Sequence, residues 1–220
     1  MKNNTICVII PTYNRKEDVM RNIRSIKKSV GVSYRIFVSD DGSTDGTKEM
    51  VAKLFPEVKV TVSRKNCGAA NARNLGMKAA LKMPTDFLFF SDSDFTLEPK
   101  TLLELTNAIK DKPGYAAATG KIEYPKEGLA GGTLFIKKNN AQKIGFFDEI
   151  SPIPYEDADY SVRINKSGYK ILYVPTARIY HKTPYSDPKI AQKFWIRGAY
   201  RTARNKIIFM RKHSPAFWLF

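Results

Sequence analysis

Thr5 to Arg15 reads TICVIIPTYNR, and its first six residues decide the fold. TICVII is an unbroken β-branched and apolar run, the pattern of a strand covered on both faces in a parallel sheet, and Pro11 closes it. Working outward, Lys16 to Val30 sets Val19, Ile23, Ile26 and Val30 at helical spacing, so a helix follows the strand. Tyr34 to Val38 is a second apolar run that ends in the turn SDDGSTDGT, after which Lys48 to Phe55 is helical again. Val58 to Val62 is a third short strand. KNCGAANARNLG then opens a helix reaching Met83, and Phe87 to Phe90 is a fourth strand ending in SDSD. Strands alternating with helices predict an α/β fold with a doubly wound, mostly parallel sheet. Ligands bind such sheets beyond the carboxyl ends of the strands, where Tyr13, Asp41 and Asp92 to Asp94 fall.

Past Lys100 the rhythm loosens. A helix is predicted over Thr101 to Lys110, short strands near Ala116 to Ile122 and Gly132 to Ile136, and a helix from Asn139 that ends at Gly145. A helix around Asp157 to Ser167, a strand at Ile171 to Val174 and a strand-like piece at Arg178 to Tyr180 follow. No repeat or low-complexity linker separates the halves, so they are expected to share one core.

With 220 residues, 43% hydrophobic and 26% charged, the chain has the composition of one globular unit, which excludes intrinsic disorder. Its 37 Lys and Arg against 21 Asp and Glu give a net charge of +16. That balance asks for a polyanionic partner: nucleic acid, an anionic lipid surface or a phosphate-bearing substrate, which charge alone does not separate. Cys7 and Cys67 form no metal or disulfide pattern, as expected of a reduced, cytoplasmic setting. The apolar stretch at the start is too short for a signal peptide, and no window reaches membrane-spanning length.

The chemistry-bearing residues sit at the strand ends. Asp92 and Asp94 flank Ser93 at the mouth of FLFF. Two residues of strand span roughly 6.6 Å, and a turn brings the carboxylates within reach of one hydrated divalent ion. Asp and Ser are also common caps, so the pair alone fits two readings. Asp40 and Asp41 follow the second strand, where a carboxylate can accept hydrogen bonds from a base or a ribose; an Asx turn accounts for Ser43 to Asp45 but poorly for two adjacent acids. In GAANARNLG, small residues open a helix N-terminus, and Arg73 is the cation that could meet an anion there. Glu156, Asp157 and Asp159 crowd the first turn of a helix, where acids suit the dipole. Three carboxylates in four residues repel, so one of them is expected to have a raised pKa or a cationic partner. His181 could complete a metal's coordination, and a mixed N/O ligand set favours Mn²⁺ over Mg²⁺.

The order of these segments says more than any one of them. VIIPTYNR, VSDDGSTDGT, GAANARNLG, FSDSD, YEDADYSVR and YHK together resemble the family 2 glycosyltransferases, inverting nucleotide-diphospho-sugar transferases of the GT-A fold, over Thr5 to Lys182. The resemblance implies a nucleoside pocket of Pro11, Tyr13 and Asp41, with Asp40 a weaker addition. Arg73 would lie at its base and phosphate end, with Ser93 and Glu156 beside the substrate. Asp92 and Asp94 would hold ribose and the divalent ion, Asp94 ahead of Asp92 as direct metal ligand, with His181 a further ligand. Asp157 would be the catalytic base. The implied donor carries UDP first, with GDP or dTDP as alternatives. The implied acceptor is a hydroxyl, lipid-linked or on a cell-envelope glycan, and no nucleic acid is expected. Residues 1–188 would form the transferase domain, with a nucleotide-sugar half to about 112 and an acceptor half from 113.

Processive members carry QxxRW, whereas Gln192-Lys-Phe-Trp195 lacks the arginine, so single-sugar transfer is implied. YRTARN, 200–205, is similar to a YxxxRN segment of members acting on lipid-linked or envelope acceptors. In the tail from 189 to 220, Phe194, Trp195, Ile207, Ile208 and Phe209 interleave with Arg197, Arg201, Arg204, Lys206, Arg211 and Lys212, which suits a helix lying peripherally on the anionic cytoplasmic face of a membrane. A terminal helix packed on the core would look similar. The close PAFWLF raises the expectation of a following membrane-associated segment. Competing readings are a nucleotidyltransferase, whose glycine-rich loop PTYNR lacks; a nucleic-acid-binding module, which leaves the acidic clusters unexplained; and an inactive scaffold.

Overall fold

The computed structural model describes residues 4–123, 133–150, 154–182 and 188–214, the last of these with side chains from 198 onward. Its first half runs β1 Thr5–Thr12, α1 Lys16–Ile26, β2 Ser33–Asp40, α2 Thr47–Leu54, β3 Lys59–Val62, α3 Ala69–Leu81 and β4 Phe87–Ser91. All pairings among these strands are parallel, in the order β3-β2-β1-β4. Ile6 to Ile10 are fully buried. Ile6, Val8 and Ile10 enter one apolar layer with α1 and α2, while Cys7 and Ile9 enter the other with α3, which is why β1 shows no polar alternation.

Helix α1 stops four residues before the predicted Val30. Ser25 and Ile26 carbonyls close tight turns with the amides of Lys28 and Ser29, Gly31 follows at φ 72°, and Val30 is 48% exposed, so burial does not pull it into the helix. Helix α3 lies directly on the sheet because residue 76 is glycine: a Cβ there would fall 2.4 Å from Ile9 Cγ2 and 2.2 Å from Ser39 Oγ.

The second half runs β5 Phe95–Leu97, α4 Thr101–Ile109, β6 Tyr115–Glu123, β7 Thr133–Lys137, α5 Lys138–Ile144, α6 Glu156–Lys166, β8 Lys170–His181 and α7 Pro188–His213. These strands extend the same sheet to β3-β2-β1-β4-β7-β6-β8-β5. β7 is antiparallel to both its neighbours, β8 is parallel to β6, and β5 is antiparallel to β8. Two segments expected to be separate, Ile171 to Val174 and Arg178 to Tyr180, are one strand interrupted by an irregularity. Gly120 pairs with Val174 and Lys121 with Arg178, so residues 175–177 bulge out. This accommodates Pro175 within a strand, and the bulge needs Gly120, whose Cβ would lie 2.3 Å from the Ala177 carbonyl oxygen. The predicted start of β7 at Gly132, the Gln192–Trp195 side chains and the PAFWLF end lie outside the described residues or side chains.

Candidate active site

The carboxyl ends of β1, β2 and β4 open on one edge of the sheet, where a cavity of about 540 Å³ is found, a size suited to a small organic ligand. Of the residues singled out from sequence, Pro11, Tyr13, Asp41, Arg73, Asp92, Ser93, Asp94, Glu156 and Asp157 line it. Tyr13 is 43% exposed at the rim. His181 reaches the site through a strand that sequence reading misses: β5 starts one residue after Asp94, and Phe95 stands in register with His181. His181 Nε2 thereby lies 3.3 Å from Asp94 Oδ2, and its ring packs edge-on against Phe95. Neighbouring ligands about 2.1 Å from an octahedral ion sit roughly 3 Å apart, so this pair fits two adjacent positions on one small divalent cation. Among the described residues no group of three or more His, Cys, Asp or Glu converges on a metal site.

Three crowded acids are sorted by their partners. Arg73, 4% exposed, reaches Glu156 at 2.5 Å with one terminal nitrogen and Asp92 at 2.8 Å with the other, and its guanidinium lies over the Phe147 ring. Burial works to lower the arginine's pKa, and the two carboxylates more than reverse this. Burial raises the Glu156 pKa, Arg73 opposes, and Asp157 adds to the rise. Burial likewise raises Asp92, against Arg73 and with Asp94. Asp159 turns away from the cavity to Arg163 at 2.8 Å, Lys212 at 2.7 Å and His213 at 2.8 Å. Asp157 is left facing the cavity with no ion pair among the described residues; its Oδ1 accepts only the Ala158 amide at 2.8 Å.

Asp40 and Asp41 divide differently. Asp40 accepts the Ser43 amide at 2.8 Å and does not line the cavity, so it serves the turn. Asp41 lines the cavity while holding the turn into α3: its Oδ2 accepts the amides of Cys67 and Gly68 at 2.8 and 2.6 Å, and its Oδ1 accepts a hydrogen bond from Asn71 Nδ2 at 2.8 Å. About one of a carboxylate's four acceptor directions then remains for a ligand.

With this geometry in place, a model of the family described as Glycosyl transferase family 2 matches residues 7–170. The chain belongs to glycosyl transferase family 2. Among relatives of this family 2 chain, an uncharacterized glycosyltransferase of Rickettsia conorii is 32% identical over 144 residues, covering 61% of this chain and 24% of that protein. A dolichol-phosphate mannosyltransferase of Pyrococcus furiosus is 28% identical over 186 residues, covering 76% of this chain and 51% of the other. The chain thus spans between about a quarter and about half the length of these relatives. In fold it is similar to the mannosyltransferase PcManGT of Pyrobaculum calidifontis, solved with GDP-Man and Mn²⁺: TM-score 0.74, 19% identity, over 96% of this chain and 64% of that one.

The cavity is also shaped by residues to which the sequence assigns no such place. Asn22, fully buried in α1, donates to Ser91 Oγ at 3.0 Å and to the Asp92 carbonyl at 2.7 Å, pinning the DSD turn. Asn74 exchanges hydrogen bonds with the Phe147 backbone at 2.8 and 2.9 Å, fixing the IGFFDE segment. Arg201 of α7 lines the cavity. For Asn22 and Asn74 a polar residue within a helix is the only signal in the sequence, and it does not name the partner about 70 residues away; Arg201 stands out in sequence only as part of the basic tail and the YxxxRN-like segment.

Proposed function

We propose that this chain transfers a single sugar, with inversion, from a nucleoside-diphospho-sugar to a hydroxyl acceptor. The observation that carries the reading is Asp157, a carboxylate with no ion pair among the described residues, lining the same cavity as Asp94, whose carboxylate pairs with His181. In this reading Asp157 accepts the acceptor's hydroxyl proton as that oxygen bonds the anomeric carbon, opposite the departing nucleoside diphosphate. Arg73 is engaged by Glu156 and Asp92 through its two terminal nitrogens, which leaves Asp157 as the carboxylate available to the acceptor. Asp94 and His181 would hold a divalent cation, Mn²⁺ ahead of Mg²⁺, which when bound stabilises charge on the leaving diphosphate. Pro11, Tyr13 and the remaining acceptor capacity of Asp41 would receive the nucleoside, with UDP tried first and GDP and dTDP beside it. Residues to about 112 would serve the donor, and 113–188 the acceptor.

A lipid-linked or envelope acceptor is supported by the name of the Pyrococcus furiosus relative, a dolichol-phosphate mannosyltransferase. Peripheral contact with the cytoplasmic leaflet is supported by α7, where Tyr200, Ile207 and Met210 are 74%, 55% and 40% exposed among basic residues. No helix among the described residues is long and apolar enough to cross a membrane.

The reading is tested by calorimetric titration with UDP, GDP and dTDP, in Mn²⁺ and in EDTA. One nucleotide should bind only with metal, and Asp94→Ala should lose that binding. Asp157→Asn should bind the nucleotide as wild type does yet fail to transfer; retained turnover would refute Asp157 as the base.

A further inference from the structure

The cavity holds five carboxylates against three arginines, Arg15, Arg73 and Arg201. Two of the three are committed. Arg73 grips Asp92 and Glu156, and Arg15 pairs with Asp18 at 3.2 Å. Arg201 lines the same cavity, is exposed, and has no ion pair among the described residues.

Its carrier is anchored. On α7, Arg204 donates to the Ile150 carbonyl at 2.8 Å and Asn205 to the Pro154 carbonyl at 3.1 Å. One helical repeat further on, Phe209 packs against Tyr155 at 5.5 Å, and Lys212 and His213 hold Asp159. The YxxxRN-like segment therefore spends its Arg204 and Asn205 on the backbone leading into Glu156 and Asp157. Arg201 lies one turn before Asn205, on the same side of the helix, so its guanidinium is presented to the cavity by a helix already fixed.

A nucleoside diphosphate brings more negative charge into a site already rich in carboxylates, and a planar guanidinium can meet two phosphate oxygens at once. Resting on the glycosyl-transfer reading above, we propose that Arg201 binds the donor's diphosphate and that α7 is part of the donor site. The nucleoside is held by other residues, so Arg201 distinguishes diphosphate from monophosphate rather than one base from another.

The test is calorimetric titration of the full chain in Mn²⁺ with UDP, GDP and dTDP and with the three corresponding monophosphates. Wild type is compared with Arg201→Ala, Arg201→Lys and Lys53→Ala, the last removing the same charge from an exposed position on α2. Arg201→Ala should weaken the preferred diphosphate about 10- to 100-fold and its monophosphate by less than about threefold, with Arg201→Lys in between and Lys53→Ala unchanged. The proposal is overturned if Arg201→Ala keeps the full preference for diphosphate, or if Lys53→Ala weakens binding equally. Wild type binding none of the six nucleotides would instead bring down the donor-site reading itself, before any variant is compared.

Discussion

Glu156, Asp157 and Asp159 share one helical turn, yet each has a different electrostatic fate, set by which cation arrives from elsewhere in the chain. Arg73 decides most of it. Its planar fork spans Glu156 and Asp92 together, something a point charge such as lysine cannot do. Replacing it by methionine would leave the buried Glu156 and the partly exposed Asp92 without their cation. Arg73→Met should therefore lose about 3–5 kcal/mol of stability in urea unfolding at neutral pH, with Arg73→Lys recovering only part of it. A loss below about 1 kcal/mol would mean that water already screens the pair. None of this is legible at Arg73 itself: GAANARNLG marks a helix start with a cation in it, and that cation reads equally well as a ligand for an external anion.

At the scale of elements, three short devices bring the motifs together. Asp41 holds the turn that enters α3 through three hydrogen bonds, Gly76 lets that helix sit against Ile9 and Ser39, and β5 aligns Phe95 with His181. Separately, Asp159 docks α7 onto α6. Burial works to raise its pKa, but Lys212, His213 and Arg163 more than offset this, leaving it below the ordinary 3.8. A depressed carboxylate pKa stabilises the fold fully above that ordinary value and ceases to do so as pH falls through the folded value. Asp159→Asn should cost about 1–3 kcal/mol at pH 7, and its deficit against wild type should shrink on titration below 3.8. An undiminished deficit in acid, followed by urea unfolding, would show that the carboxylate's charge is not what docks the helix.

For the molecule as a whole, a net charge of +16 coexists with a cavity lined by five carboxylates, so the positive charge belongs to the outer surface rather than to the site. The face of α7 that carries Tyr200, Ile207 and Met210 is where such a surface would meet an anionic leaflet, apolar groups entering the headgroup region and neighbouring cations drawing them there. The full chain should co-sediment with vesicles containing phosphatidylserine and much less with neutral ones. Raising salt well above about 0.1 M should weaken the association, and Ile207→Asp should weaken it further. Equal binding to neutral vesicles would remove the electrostatic part of this reading.

The sheet's parallel half was written in the residues themselves, because TICVII, the run ending at Val38 and FLFF are apolar without alternation, and a strand of that kind is stable only between two helical layers. The order of the acidic clusters followed from the same rule, since carboxyl ends of parallel strands share one edge. Local periodicity could not supply the rest. β5 is three residues long and exists only because β8 pairs with it. The bulge that makes β8 one strand depends on Gly120 meeting Ala177 across the sheet. Which of three adjacent acids is left facing the cavity depends on Arg73, Lys212 and His213, residues more than 50 positions away from one or another of them. Charge pairing acts through space, and only the folded chain defines those distances.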